Sequence, residues 1–168
     1  CEKKFPSYLY DFIALYLQNS GEEHFVAEEA LAAAYYAYAM RCGNRFISRW
    51  FEFSLNVNNI LSAFILRKYK MEVAPRIVGD TEVCEQLRTS NARDFGLGDA
   101  VDYLPDLQRI AEEPDLMARE KKVDLLKWKW LDDNTFFKTF DIESVFAYLL
   151  KLEMIERWVT LDRVTGEK

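Results

Sequence analysis

Histidine is nearly absent from this chain, with His24 alone among 168 residues. A di-iron helical bundle needs paired Glu-x-x-His motifs, and no glutamate stands three residues before His24. A zinc site needs cysteine and histidine at short spacing, which is also missing. Cysteine is scarce too. Cys1, Cys42 and Cys84 are widely spaced and odd in number, so they form no disulfide framework and suit a reducing compartment. No apolar run reaches the roughly 18–20 residues that a membrane span requires. The most apolar stretch, Ala30 to Met40, is rich in alanine and tyrosine and reads as a packed helix. Positive charge is not in excess. The net charge is −6, so the general footprint of a nucleic-acid binder is lacking. Glycine and proline are sparse, and strand-like alternation is almost missing.

What is present is apolar and helical. Half the residues are hydrophobic and 15% are aromatic, enough to build a core and to argue against disorder. The length suits one helical domain, 1–168, or two small packed subdomains. The chain begins at Cys1 and not at methionine, as expected of a fragment. A cleaved lipoprotein would also begin with cysteine, but a polar tether would follow it, whereas Phe5 and a helix signal come almost at once. No secretory signal precedes them in this stretch.

The longest feature is NRFISRWFEFSLNVNNILSAFILRKYK, Asn44 to Lys70, with no proline or glycine inside it. Phe46, Trp50, Phe53, Val57, Ile60, Leu61 and Phe64 fall three or four apart and define one apolar face. Before it, helices are expected from Tyr8 to Leu17, with Pro6 in the first turn, and from about Glu22 to Arg41. Pro75 breaks the pattern between Val73 and Val78, where Ile77-Val78 suits a short extended piece. A short helix to Thr89 follows, with Asp80 expected as N-cap. Ser90 to Asp99 is rich in turn residues and is the candidate hinge between subdomains, or an ordinary surface loop. Further helices are expected at Tyr103–Glu112, at Asp115–Leu131 and from Asp141 to about Gly166. Leu116, Val123, Leu126 and Trp130 are expected to form the buried face of the second. Val145, Leu149, Leu152, Ile155 and Val159 line one face of the last. The fold class is all-α, with a long central helix and little or no sheet.

Catalytic signals are weak. Nucleophilic catalysis would have to join His24 to Cys42 or Cys84 across space. Gly96-Leu97-Gly98 is too short for a phosphate loop. The adjacent pairs Glu22-Glu23, Glu28-Glu29 and Glu112-Glu113 point about 100° apart on a helix and suit solvated faces. No catalytic, cofactor-binding or metal-ligating set is therefore expected. Arg119, Lys121, Lys122 and Lys127, with Lys129, interleave with Trp128 and Trp130. They suit either a contact surface for an acidic partner or a mixed-charge surface helix, since Glu120, Asp124, Asp132 and Asp133 lie among them. The lysine and arginine stems can also cover the tryptophans without any partner. Asn56, Asn58 and Asn59 are poor mid-helix residues. Any that faces inward must be hydrogen-bonded, and Asn59, beside Ile60, is the candidate for a structural amide.

Two segments carry a family resemblance. NNILSAFILRK (Asn58 to Lys68) with IVGDTEVCEQL (Ile77 to Leu87) resembles an element of the C-type central-stalk component of archaeal and bacterial V/A-type ATPases, whose eukaryotic counterpart is the d-type component. There a helix with an Asn-Ile and Leu-Arg pattern precedes a glycine turn and a short helix, which sets Arg67 beside Asn59 as a structural polar residue. IESVFAYLLKLEMIERWVTLDRVTGEK is similar to that family's ending through Val145, Ala147, Tyr148, Leu149, Leu150, Lys151, Glu153, Ile155, Gly166 and Lys168. The chain also resembles divergent bacterial relatives of the C-type component, proteins of unknown function that accompany V-type ATPase components. The similarity covers Trp50 to Lys168. It implies an all-α, non-catalytic socket between a rotor shaft and a membrane proteolipid ring, with no cofactor. It further implies a cytoplasmic site at the inner membrane surface, without a span of its own. An unrelated helical interaction domain is the alternative.

Overall fold

A computed structural model describes residues 5–19, 21, 26–138 and 141–166. His24, Cys1, Glu22, Glu23 and Lys168 lie outside them. Among the described residues there are seven α-helices and no strand: α1 (Ser7–Asn19), α2 (Ala27–Met40), α3 (Arg45–Lys68), α4 (Glu82–Thr89), α5 (Leu104–Ala111), α6 (Leu116–Thr135) and α7 (Ile142–Gly166). The contacts divide the chain into two compact units, Cys1–Leu104 and Pro105–Lys168. The division falls just after the 90–99 stretch, which is itself fastened into the first unit.

In the first unit α2 packs against both α1 and α3. The α1–α2 contact is aromatic, with the Tyr8 ring 5.3 Å from Tyr38 and 5.8 Å from Tyr35. Tyr35 in turn meets Phe51 of α3 edge-on at 5.6 Å. Asn44 starts α3 because its side chain accepts the N–H groups of Phe46 and Ile47, two donors that the first turn leaves unpaired. Ser48 Oγ then donates to the Met40 carbonyl at the end of α2, at 2.6 Å. The apolar face of α3 is the core of this unit. Phe46, Trp50, Phe53, Val57 and Ile60 are buried, joined by Leu55 and Ala63.

The segment after α3 folds back along it. Pro75 sits in the first turn of a short 3-10 turn at Ala74–Arg76, and Ile77 is extended. Gly79 has φ +84, a backbone conformation that favours glycine, and a Cβ there would stand 2.8 Å from Leu55 Cδ2, so the buried Leu55 side chain would have to shift. The N-cap of α4 is Thr81, not the expected Asp80. Thr81 Oγ1 accepts the Cys84 N–H at 3.3 Å and donates to Asn56 of α3 at 2.8 Å. A neighbouring helix can satisfy this hydroxyl, whereas Asp80 is exposed. Arg88 closes the turn by donating to the Ile77 and Gly79 carbonyls.

In the second unit α6 packs on α7. Asp115 caps α6 by accepting the N–H groups of Met117 and Ala118. Asp141 caps α7 by accepting the Ser144 N–H at 2.8 Å. This bond first, and then the one that Ser144 Oγ donates, holds the Asp141 carboxyl below its ordinary range. The buried residues of α6 are Val123, Asp124 and Leu131. Of the expected face, Leu126 and Trp130 are half-buried, and Leu116 is exposed. Leu116 occupies the first helical position, ahead of the stretch that α7 covers.

Candidate partner-binding surfaces

Asn59 and Arg67 of α3 act within the first unit. The Asn59 amide donates to the Val78 carbonyl at 2.7 Å and accepts the Val78 N–H at 3.1 Å. It thereby pairs a stretch of backbone that belongs to no helix or sheet. Cys84, fully buried, donates its thiol proton to the same carbonyl. Arg67 donates to the Ala92, Arg93 and Ser90 carbonyls, and its guanidinium lies 3.5 Å from the centre of the Phe95 ring. Phe95 has φ 58, a left-handed conformation that bulky residues rarely adopt. Burial, Arg67 above the ring and Phe64 at 5.4 Å hold it there.

The basic residues of α6 do not form one patch. Lys121 sits over the Trp158 ring at 5.5 Å, a cation–π contact made inside the unit. Lys122 pairs with Glu113 and keeps that carboxyl below its ordinary range, chiefly by its hydrogen bond. Lys127 is partly buried. Burial pushes its ammonium down, the Arg157 charge adds to the shift, and Asp124 opposes it. Arg119 is half-buried near Glu113. The helix thus turns Lys122 and Lys129 to one side and Lys121 to another.

Asp124 is the centre of the α6–α7 contact. Its buried carboxylate accepts from Arg157 and from Trp158 Nε1, the latter at 2.7 Å. Trp158 stacks on Trp128 with ring centres 6.3 Å apart. Lys151 lies over Trp128 and pairs with Asp132. Ala147 and Met154 complete the covered side of α7.

The other side of α7 is apolar and open. Val145, Tyr148, Leu149, Leu152, Ile155 and Val159 are between 42% and 65% exposed. The expected face exists, but it does not meet α6. Val145, Tyr148, Leu152, Ile155 and Val159 are spaced alternately by three and four residues. That is the repeat which keeps an apolar seam straight along a second helix. Glu153 and Glu156 border it and are exposed. A second exposed apolar group lies on α1, with Tyr10, Ile13, Tyr16 and Leu17.

Among the described residues, no group of three or more His, Cys, Asp or Glu is placed to hold a metal ion. No helix of these residues is long and apolar enough to cross a membrane. Residues 1–168 match the family described as Protein of unknown function (DUF2764). The chain belongs to this family. No curated protein and no solved structure matches it. On α7 Ala147 is buried, while Val145, Tyr148, Leu149 and Ile155 face outward.

Proposed function

We propose that this chain is a non-catalytic central-stalk component of a V-type rotary ATPase, a socket that couples the rotor shaft to the membrane proteolipid ring during ion transport. One observation carries the reading. The C-terminal residues that resemble the C-type component form α7, and most of the apolar ones are uncovered. Leaving such a seam in water is unfavourable by roughly 25 cal/mol for each Å² that a partner would cover. Contiguous exposed apolar surface on a folded chain is the mark of an interaction site. A socket needs shaped, stiff surfaces and no titrating centre. The Asn59, Arg67 and Asp124 networks give the two units that stiffness. In this reading the protein works at the cytoplasmic face of the inner membrane as a peripheral component.

The same seam fits a helical interaction domain with an unrelated partner. Site-specific photocrosslinking separates the two readings. A benzophenone side chain in place of Leu152 is expected to capture a shaft or ring protein when all are expressed together. Crosslinks only to proteins outside the rotor would replace the socket with the alternative.

A further inference from the structure

The cleft between α5 and α6 is a second surface, independent of α7 and of the rotary reading. Its volume is about 380 Å³, within the range of cavities that take a small ligand or a few side chains. Ile110, Leu125 and Leu126 give it apolar walls. Arg109 stands on α5, and Lys122 and Lys129 stand two helical turns apart on α6. Asp106 is the one acidic residue lining it, and it is already paired with Arg109. Leu125 is exposed despite these charged neighbours. The chain as a whole carries a net charge of −6, whereas the three cations of this rim outnumber Asp106 and the Glu113 that pairs with Lys122, so the local charge is positive.

We propose that this cleft docks an acidic amphipathic segment of a partner protein. A helical turn would place apolar residues, spaced three or four apart, against Ile110, Leu125 and Leu126. Its Asp and Glu side chains would meet Arg109 on one wall and Lys122 and Lys129 on the other. The present pairs, Arg109 with Asp106 and Lys122 with Glu113, are surface ion pairs. Such pairs contribute little, so an incoming carboxylate exchanges with them at small cost. The overall negative charge disfavours the same segment over much of the surface, which steers it toward this site.

The test is fluorescence anisotropy on the full chain. The probe is a labelled pool of amphipathic helical peptides with Leu, Ile or Phe on one face and Glu on the other. A matched pool carries Lys in place of Glu. The acidic pool is expected to bind and the basic pool is not. Arg109→Glu with Lys129→Glu should weaken binding about ten-fold or more, as should Leu125→Asp, and added salt should weaken it further. All three positions line the cleft, and circular dichroism is expected to show the variants folded. No binding of the acidic pool, equal binding by the charge-reversed chain, or binding only to vesicles rich in anionic lipid would overturn the proposal. Each of those results leaves the socket reading standing, because that reading rests on α7.

Discussion

Asn59 and Val78 exchange two hydrogen bonds, the amide donating at 2.7 Å and accepting at 3.1 Å. A side chain of the longest helix in the first unit thereby satisfies both backbone groups of a residue in the following connection. Replacing Asn59 with leucine leaves that N–H without its partner and the C=O with only the weak Cys84 thiol donor. The loss should be about 2 kcal/mol, because stranded polar groups lose more than a typical bond contributes. Asn59→Asp removes the donor and sets a carboxylate against the Val78 carbonyl, so it should be at least as harmful. Asn58, exposed and bonded to Tyr36, provides the contrast. Asn58→Ala should cost under about 1 kcal/mol. Urea midpoints for the three variants check the ordering.

Asp124 should be the most sensitive polar position of the second unit. Asp124→Ala removes the acceptor for Arg157 and for the Trp158 indole at once. Arg157 is half exposed and regains water. The loss is therefore expected near the lower end for a broken buried pair, about 2–3 kcal/mol. Trp158→Phe keeps a ring against Trp128 and removes only one donor, so it should cost less. Tryptophan fluorescence during urea unfolding reads both, and equal effects would contradict the central role of Asp124.

Alkaline stability should depend on Tyr103. Burial first, then the negative charges of Asp102 and Glu52, push its phenol above the ordinary value, while its bond with Asn56 opposes them. The folded value lies above the unfolded one of about 10. The contribution is whole below that pH and is lost as pH rises through the interval above it, where the unfolded chain releases its proton first. Lys127 has the opposite sign, since its depressed folded value makes the fold gain as pH rises toward the unfolded value. Comparison with Tyr103→Phe isolates the tyrosine. Wild type should lose stability more steeply than the variant above about pH 10, measured by urea midpoints at successive pH values. Parallel curves would contradict the assignment.

Much of the fold is legible in the sequence because it rests on local signals. The apolar period of α3 reports its buried face, and Asp115 and Asp141 stand where capping carboxylates belong. The asparagines of α3 signal hydrogen bonds, since an amide on a buried face cannot stay unpaired. Their partners are not readable, because Val78, Thr81 and Tyr36 reach them only after the chain folds back. Thr81 and Asp80 are both good caps, and only the position of Asn56 decides between them. The seam of α7 shows the same limit more sharply. Period alone places Val145, Leu149, Leu152, Ile155 and Val159 on one face but does not say what covers it. Trp158, Asp124 and Lys151 turn the opposite face toward α6. The basic residues of α6 look like one cluster in sequence, yet helical rotation and the distant Trp158 divide them.

Co-purification tests the central claim most directly. The full-length protein, the candidate rotor-shaft proteins and the proteolipid ring are expressed together from one source, beside a Leu149→Glu, Ile155→Glu variant. Both positions are exposed, so the variant should fold as the wild type does. The socket reading predicts stoichiometric capture of shaft and ring in detergent, reduced about ten-fold or more in the variant. A shaft and ring that assemble without this protein, and that never retain it, would contradict it.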